Sequence, residues 1–251
     1  ESVLIPDEER LTLCISSQAG CPLECGFCAT GQIGFKRNLN SGEIVSQYLQ
    51  ADTGESRRIT NIVFMGMGEP LLNYKNLKTA LNVFISDQAI AFGAKKITIS
   101  TSGIAPKIKE LAKEDLKIGL AFSLNAPYDE LRDELMPINR RYNIAANLDA
   151  LKYYHKMTGR RVTFEYVLIK GVNDSLDDAQ KLVNLIHGMP CKINLIRYNP
   201  INATDFKTPD DDTVYAFRDY LYPRAPAVTL RESKGSSIAA ACGQLRGKYT
   251  S

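Results

Sequence analysis

The sequence predicts an α/β fold in which parallel strands, joined by helical crossovers, form a complete or partial barrel or a doubly wound sheet. Three observations carry this. Strand-like apolar runs alternate with amphipathic stretches along the whole chain, and Gly, Pro and Ser cluster in the turns between them. No repeat, low-complexity tract or linker cuts the 251 residues in two, so a single domain over 1–251 is expected. Parallel strands require right-handed crossovers, and in such folds the functional site lies at the carboxyl ends of the strands.

The strand candidates are 11–15, 59–65, 96–100, 118–124, 162–169, 192–197 and 227–230, each a short apolar run bounded by turn residues. Between them, 41–51, 75–85, 144–157 and 176–187 carry apolar residues three or four apart, the spacing of one helix face. Ser100 closes the third candidate strand, Ser123, Leu124 and Asn125 the fourth, and Asn199 follows the sixth. Taken singly, each of these is a turn or cap residue. Together they all fall where a barrel places its site.

With 44% hydrophobic and 24% charged residues, the composition excludes disordered, collagen-like and disulfide-framework classes. No apolar run approaches ~18 residues, so no membrane span is expected. No basic segment precedes an apolar one in the manner of a secretory signal, and a cytoplasmic location follows. The chain starts on Glu1 rather than Met, from which a trimmed upstream segment is expected. A net charge of +3 is compatible with an RNA partner without arguing for one.

Six cysteines in such a composition point to metal or catalytic roles. Cys21, Cys25 and Cys28 form C-x3-C-x2-C in a Gly- and Pro-containing loop expected directly after the first strand. A 4Fe–4S cluster has four irons, normally each held by a Cys, so three ligands leave one iron open to a small molecule. The alternative is a structural zinc with Cys14 as fourth ligand. Zinc sites of this type pair C-x2-4-C with a second ligand pair, whereas His155 and His187, the only histidines, are isolated. These two read as packing or helix-terminus residues, and Cys191, which opens a strand, as a packed core thiol.

The C-x3-C-x-aromatic-C pattern, with Phe27 in the aromatic position, resembles the radical S-adenosylmethionine superfamily. The segments Phe35-Lys-Arg-Asn-Leu39, Phe64-Met-Gly-Met-Gly-Glu-Pro-Leu-Leu-Asn73, Ser100-Thr-Ser-Gly103, Met136-Pro-Ile-Asn139, Asn194-Leu-Ile-Arg-Tyr-Asn-Pro200 and Ala240-Ala-Cys242-Gly-Gln-Leu245 are similar, in order, to the RlmN/Cfr group of RNA adenine methyltransferases. Pro70-Leu-Leu-Asn73 favours the RlmN branch, which modifies C2 of adenine, over the Cfr branch, which modifies C8.

The resemblance implies a partial (β/α)6-type barrel and a 4Fe–4S cluster on Cys21, Cys25 and Cys28. It also implies two S-adenosylmethionine molecules per turnover, bound by Gly68, Glu69, Ser100, Ser123, Leu124, Asn125 and Asn199. Cys242 would carry a methyl group from the first. A deoxyadenosyl radical from the second would remove hydrogen from it, and the resulting methylene radical would add to the adenine. Cys14 would then attack the Cys242 sulfur, forming a disulfide and releasing product, and Glu1 would serve as proton acceptor. The family's members carry His where this chain has Asn125, a change that a backbone contact survives and a side-chain contact does not. The implied substrate is an adenosine of 23S ribosomal RNA, with transfer RNA as a second candidate, and the implied electron donor is of the flavodoxin type. A monomer is expected.

The resemblance also implies an N-terminal helical accessory domain that helps hold RNA, and residues 1–251 are expected to be the catalytic domain without it. The basic doublets at 57–58, 95–96, 140–141 and 160–161 are phosphate-contact candidates or solvated surface. Three alternatives stand beside C2 methylation: C8 methylation, a radical reaction on another substrate, and a redox-sensing iron–sulfur protein in which Cys14 and Cys242 form a reversible disulfide.

Overall fold

The computed structural model describes residues 1–52, 57–231 and 241–245. Ala240, the first residue of the last family segment, lies outside them. The described strands are β1 (Val3–Pro6), β2 (Leu11–Cys14), β3 (Gln18–Gly20), β4 (Phe35–Asn38), β5 (Asn61–Phe64), β6 (Ile97–Thr101), β7 (Gly119–Ser123), β8 (Val162–Leu168), β9 (Cys191–Arg197) and β10 (Val228–Arg231). The helices are α1 (Ala29–Gln32), α2 (Ser41–Ala51), α3 (Tyr74–Ile85), α4 (Ala105–Leu111), α5 (Asp129–Leu135), α6 (Ile144–Thr158), α7 (Leu176–Ile186) and α8 (Asp211–Leu221).

Strand order decides between the two predicted architectures. The main sheet runs β1-β2-β5-β6-β7-β8-β9-β10, with every pair after β1 parallel. Each parallel strand lies beside the next in sequence, without the reversal of order that defines a doubly wound sheet. Six β/α units followed by β10 therefore form a curled partial barrel, with β1 antiparallel on its outer edge.

The core forms where the helices cover the sheet. Ile62, Phe64, Ile97, Ile99, Leu120, Phe122, Phe164 and Ile193 are buried with Leu77, Leu81 and Phe84 of α3 and Leu151 and Tyr154 of α6. Along β8 the fully buried Val162, Phe164, Tyr166 and Leu168 form one face and alternate with Thr163, Glu165 and Val167 on the other. Helix starts follow side-chain chemistry. Asn40 with Glu43 and Ser175 with Asp178 form capping boxes that satisfy the first free N–H groups of α2 and α7.

One placement differs from the sequence expectation. The cysteine loop does not follow β2 directly. The short strand β3 comes first, pairs antiparallel with β4, and makes the loop the excursion of a hairpin. Gly20, at φ +77°, sits so close to Gly34 that a Cβ would lie 1.9 Å from its carbonyl oxygen, so this crossing admits only glycine.

Candidate active site

Residues at the carboxyl ends of the parallel strands line a cavity whose non-atom space, counted out through its open mouth into solvent, is roughly 980 Å³. Cys21, Cys25 and Cys28 all line it. Their loop is fixed by backbone bonds from Cys21 N–H to the Gly34 carbonyl (3.1 Å), Cys28 N–H to Cys25 (3.1 Å) and Gly26 N–H to Leu135 of α5 (3.0 Å). Burial pushes the Cys25 thiol well above its usual range, and the neighbouring Cys28 and Cys21 push it further. Cys21 is raised to about 12, first by burial, with Cys28 and Glu69 adding to it.

Thiols that repel one another's ionisation in this way are suited to a strongly cationic iron centre, which takes them as thiolates. Among the described residues no three His, Cys, Asp or Glu close around a single metal ion. In a cluster each sulfur holds a different iron, so convergence on one point is not needed. Cys14, the fourth ligand of the zinc alternative, is set instead among Cys242, Arg231 and Met65. The donor set thus fits a three-thiolate cluster.

The loop after β5 forms one wall. Gly68 has φ +96°, and a Cβ there would come within 2.4 Å of the Gln18 side chain. Glu69 is only 2% exposed, so it is no solvated turn residue. Its carboxylate accepts the N–H of Ser102 (2.7 Å) and of Leu71 (3.0 Å), while its own N–H donates to Gln18 Oε1 (2.8 Å). Burial raises its pKa against the pull of those bonds.

Ser100 and Ser123 line the cavity with their hydroxyls 3.4 Å apart. Ser100 is the penultimate residue of β6, which runs on to Thr101. Asn125 lines it too, in the left-handed region at φ +57°. Its Oδ1 accepts the Val167 N–H (2.9 Å) and its Nδ2 points to Met136 Sδ (3.3 Å), so the side chain that departs from the family's His is engaged within the wall. Leu124 is fully buried behind that wall. Its N–H donates to the Glu165 carbonyl (3.0 Å) and its carbonyl accepts from Arg132 Nε (2.9 Å).

Cys242 lines the cavity from the far side, partly buried. Its segment is fastened to the cysteine loop: Ala29 N–H donates to the Gly243 carbonyl (2.7 Å) and Thr30 Oγ1 to the Leu245 carbonyl (2.7 Å). Asn199, also on the lining, donates Nδ2 to the Cys242 carbonyl (3.1 Å). Burial raises the Cys242 pKa, with Glu165 and Cys28 adding to it and Arg231 opposing. Cys14 ends β2 immediately behind the lining and is buried. Its pKa is pushed up to about 12 by burial and then by Cys242.

Glu1 is carried to the same end of the barrel because β1 runs antiparallel, with Val3 opposite Cys14. Its carbonyl accepts the Ser16 hydroxyl, which in turn accepts the Met67 N–H (2.9 Å). Its side chain is exposed and outside the cavity lining. Cys191 is a packed core thiol at the opposite end of its strand, and His155 and His187 lie in the last turn of α6 and at the end of α7.

Three residues of the site were missed by sequence reasoning. Glu165 and Arg231 line the cavity, and Arg132 is a fully buried guanidinium behind it. A charge inside the apolar run of 162–169 is the signal that marks Glu165. Arg132 lies within the acidic stretch 129–135 and carries no such mark.

The Radical SAM superfamily model matches residues 15–186. The dual-specificity RNA methyltransferase RlmN of Geotalea uraniireducens (strain Rf4) is 49% identical over 248 residues, covering 99% of this chain and 71% of its own length. The chain belongs to the RlmN family of radical SAM enzymes. The enzyme of the same name from Geobacter sulfurreducens is 48% identical, with 99% and 68% covered. A radical SAM methyltransferase from Sphaerobacter thermophilus superposes with a TM-score of 0.95 at 46% identity, over 98% of this chain and 73% of that one. Streptococcus suis SuiB, seen bound to S-adenosylmethionine, shares the fold at a TM-score of 0.65 and 18% identity, over 89% of this chain and 52% of that one. Radical SAM membership brings with it a 4Fe–4S cluster and S-adenosylmethionine, and the three cavity thiols are the group in this RlmN-family chain that fits the cluster. No helix among the described residues is long and apolar enough to cross a membrane.

Proposed function

We propose that this RlmN-family enzyme methylates C2 of an adenosine in 23S ribosomal RNA, and in transfer RNA as a second substrate. Cys21, Cys25 and Cys28 hold the cluster, and the cavity wall of Gly68, Glu69, Ser100, Ser123, Asn125 and Asn199, with the Leu124 backbone behind it, receives S-adenosylmethionine. Cluster and cofactor supply a methyl group in one step and the power to abstract hydrogen in the next, with two cofactor molecules per turnover. A flavodoxin-type protein in the cytoplasm delivers the electron, and the enzyme works as a monomer.

The observation that carries this reading is the placement of Cys14 and Cys242, two of the three cysteines outside the cluster loop. Cys242 stands on the cavity lining within electrostatic reach of Cys28, with Cys14 behind it. A methyl group parked on the Cys242 sulfur would be open to the cavity, while the Cys14 sulfur is kept out of it. Attack of Cys14 on the Cys242 sulfur breaks the bond between that sulfur and the base-bound carbon. The carbon takes a proton, and a disulfide is left to be reduced before the next cycle. Glu1, at the rim, is the proton acceptor of this scheme.

The test is methyl transfer from S-adenosylmethionine to 23S ribosomal RNA by the anaerobically reconstituted protein. Nuclease digestion, mass spectrometry and NMR then locate the new methyl group. 2-Methyladenosine is the expected product. A methyl on C8 would move the chain to Cfr-type chemistry, and deoxyadenosine production without RNA methylation would make it a radical enzyme of another substrate. Iron bound with neither product would leave a redox sensor.

A further inference from the structure

Four side chains stand in one row across adjacent strands, since Ser123 pairs in register with Glu165, Glu165 with Asn194 and Asn194 with Thr229. Glu165 is the charged member. It is 5% exposed, sits mid-strand in β8 and faces the cavity. Among the described residues its two oxygens share one side-chain donor, Asn194 Nδ2, at 3.2 and 3.3 Å. Asn194 is fixed in turn by Thr229, whose hydroxyl bonds both Asn194 Oδ1 and the Ile193 carbonyl.

A buried carboxylate is costly unless it is well supplied with donors, and an ionised one accepts about four hydrogen bonds. Two long contacts from one amide leave most of that capacity directed into the cavity. Packing does not call for the charge, because the interior of a parallel sheet is ordinarily filled by Val, Ile and Leu. Burial raises the Glu165 pKa, while Arg231, on the same lining, and Lys192 favour the ionised form. The missing donors belong to whatever fills the cavity. If the site works as proposed above, two adenosyl groups enter it, one on the cofactor and one in the RNA. Each offers a ribose hydroxyl and an exocyclic amine.

We propose that Glu165 is a nucleoside-binding carboxylate, held in orientation by Asn194 and Thr229, which accepts hydrogen bonds from the ribose hydroxyls or exocyclic amine of an adenosyl group in the cavity. The proposal rests on the methyltransferase reading and extends it to a residue with no assigned role.

The test compares wild type, Glu165→Gln and Glu165→Ala as reconstituted holoproteins, with cluster absorbance and thermal melting as checks of integrity. One arm measures S-adenosylmethionine binding by equilibrium dialysis. The other measures binding of the 23S ribosomal RNA fragment that the wild-type protein methylates. The matched probes are the same fragment with purine or 2′-deoxyadenosine at the target position. Glu165→Ala should weaken one ligand at least tenfold, and the arm affected identifies the source. If it is the RNA, the analogue lacking the decisive donor should bind wild type more weakly and the variant no differently from adenosine. Glu165→Gln, with one oxygen exchanged for a donor, should lose affinity in the same arm, and it serves alone if the alanine variant does not fold. Wild-type affinity of a folded variant for both ligands would overturn the proposal while leaving the enzyme reading intact. A wild-type protein that binds neither ligand would overturn both.

Discussion

Asn199 donates its side-chain amide to the backbone carbonyl of Cys242 across 3.1 Å, joining the loop after β9 to the segment that carries the proposed methyl-accepting thiol. On that geometry Asn199 positions a protein group as well as lining the cavity. Asn199→Ala removes the donor without touching the cysteine loop. A net hydrogen bond contributes about 0.5–1.5 kcal/mol. The fraction of protein carrying S-methyl-Cys242, read by intact mass, should therefore fall by roughly two- to tenfold, while iron content stays at the wild-type level.

Arg132 is the most heavily used buried side chain in the site. Its guanidinium donates to the carbonyls of Leu124 (2.9 Å), Ser102 (2.7 Å) and Ser123 (3.0 Å) and to Asn139 Oδ1 (2.8 Å), and lies over the Phe122 ring. Burial lowers its pKa to about 10, so it stays charged at neutral pH. Arg132→Met strands several buried acceptors at once and should destabilise the metal-free protein by about 3 kcal/mol or more. Arg132→Lys keeps the charge and should lose less. Urea unfolding of the two variants against wild type measures both.

Much of this arrangement is legible in the sequence, and the reasons it is not all legible are physical. Periodicity identified the seven parallel strands and helices α2, α3, α6 and α7, because buried faces leave their spacing in the apolar residues. It missed β1, whose residues alternate between exposed and partly buried at the sheet edge, and the β3–β4 hairpin, whose outer strand is exposed throughout. Helices α4 and α5, of seven residues each, are too short to establish a period. Cys21, Cys25 and Cys28 were legible because close spacing in sequence enforces closeness in space. Arg132 was not, since its partners lie on separate loops that only the closed barrel brings together.

Gly68 offers a test of the wall itself. Its φ of +96° disfavours any side chain, and an added Cβ would meet Gln18 Cβ at 2.4 Å, displacing the residue whose Oε1 holds the Glu69 N–H. Gly68→Ala should weaken S-adenosylmethionine binding at least tenfold in equilibrium dialysis and lower the melting temperature, with the cluster still assembled. Gly34→Ala is the control, because a Cβ there meets nothing within 4 Å, although its φ of +74° still carries a local strain.

Cys14 lies within electrostatic reach of Cys242. A thiolate on Cys242 raises the Cys14 pKa, on top of burial, to about 12. Methylation makes the Cys242 sulfur neutral and removes that contribution. In metal-free protein, the pH dependence of Cys14 alkylation by iodoacetamide should move to lower pH in Cys242→Ala than in wild type. The sign for stability follows as well. Because the folded pKa is raised, the Cys14 contribution is complete below pH 9 and is lost as the pH climbs from 9 towards 12.

The two cysteines are also separable by timing. In the proposed scheme Cys242 accepts the methyl group before the base is attacked, and Cys14 acts only afterwards. Cys242→Ala should yield neither methyl-carrying protein nor methylated RNA, although the cluster ligands Cys21, Cys25 and Cys28 are intact. Cys14→Ala should still carry the methyl group and attack the base, yet it lacks the sulfur that breaks the carbon–sulfur bond. The only other thiol outside the cysteine loop is Cys191, a core residue at the far end of its strand. The product should therefore be a protein–RNA adduct that survives denaturation and maps to Cys242 after digestion. Normal turnover by Cys14→Ala, with no slow-migrating species on a denaturing gel, would show that the disulfide step belongs to another residue or does not occur.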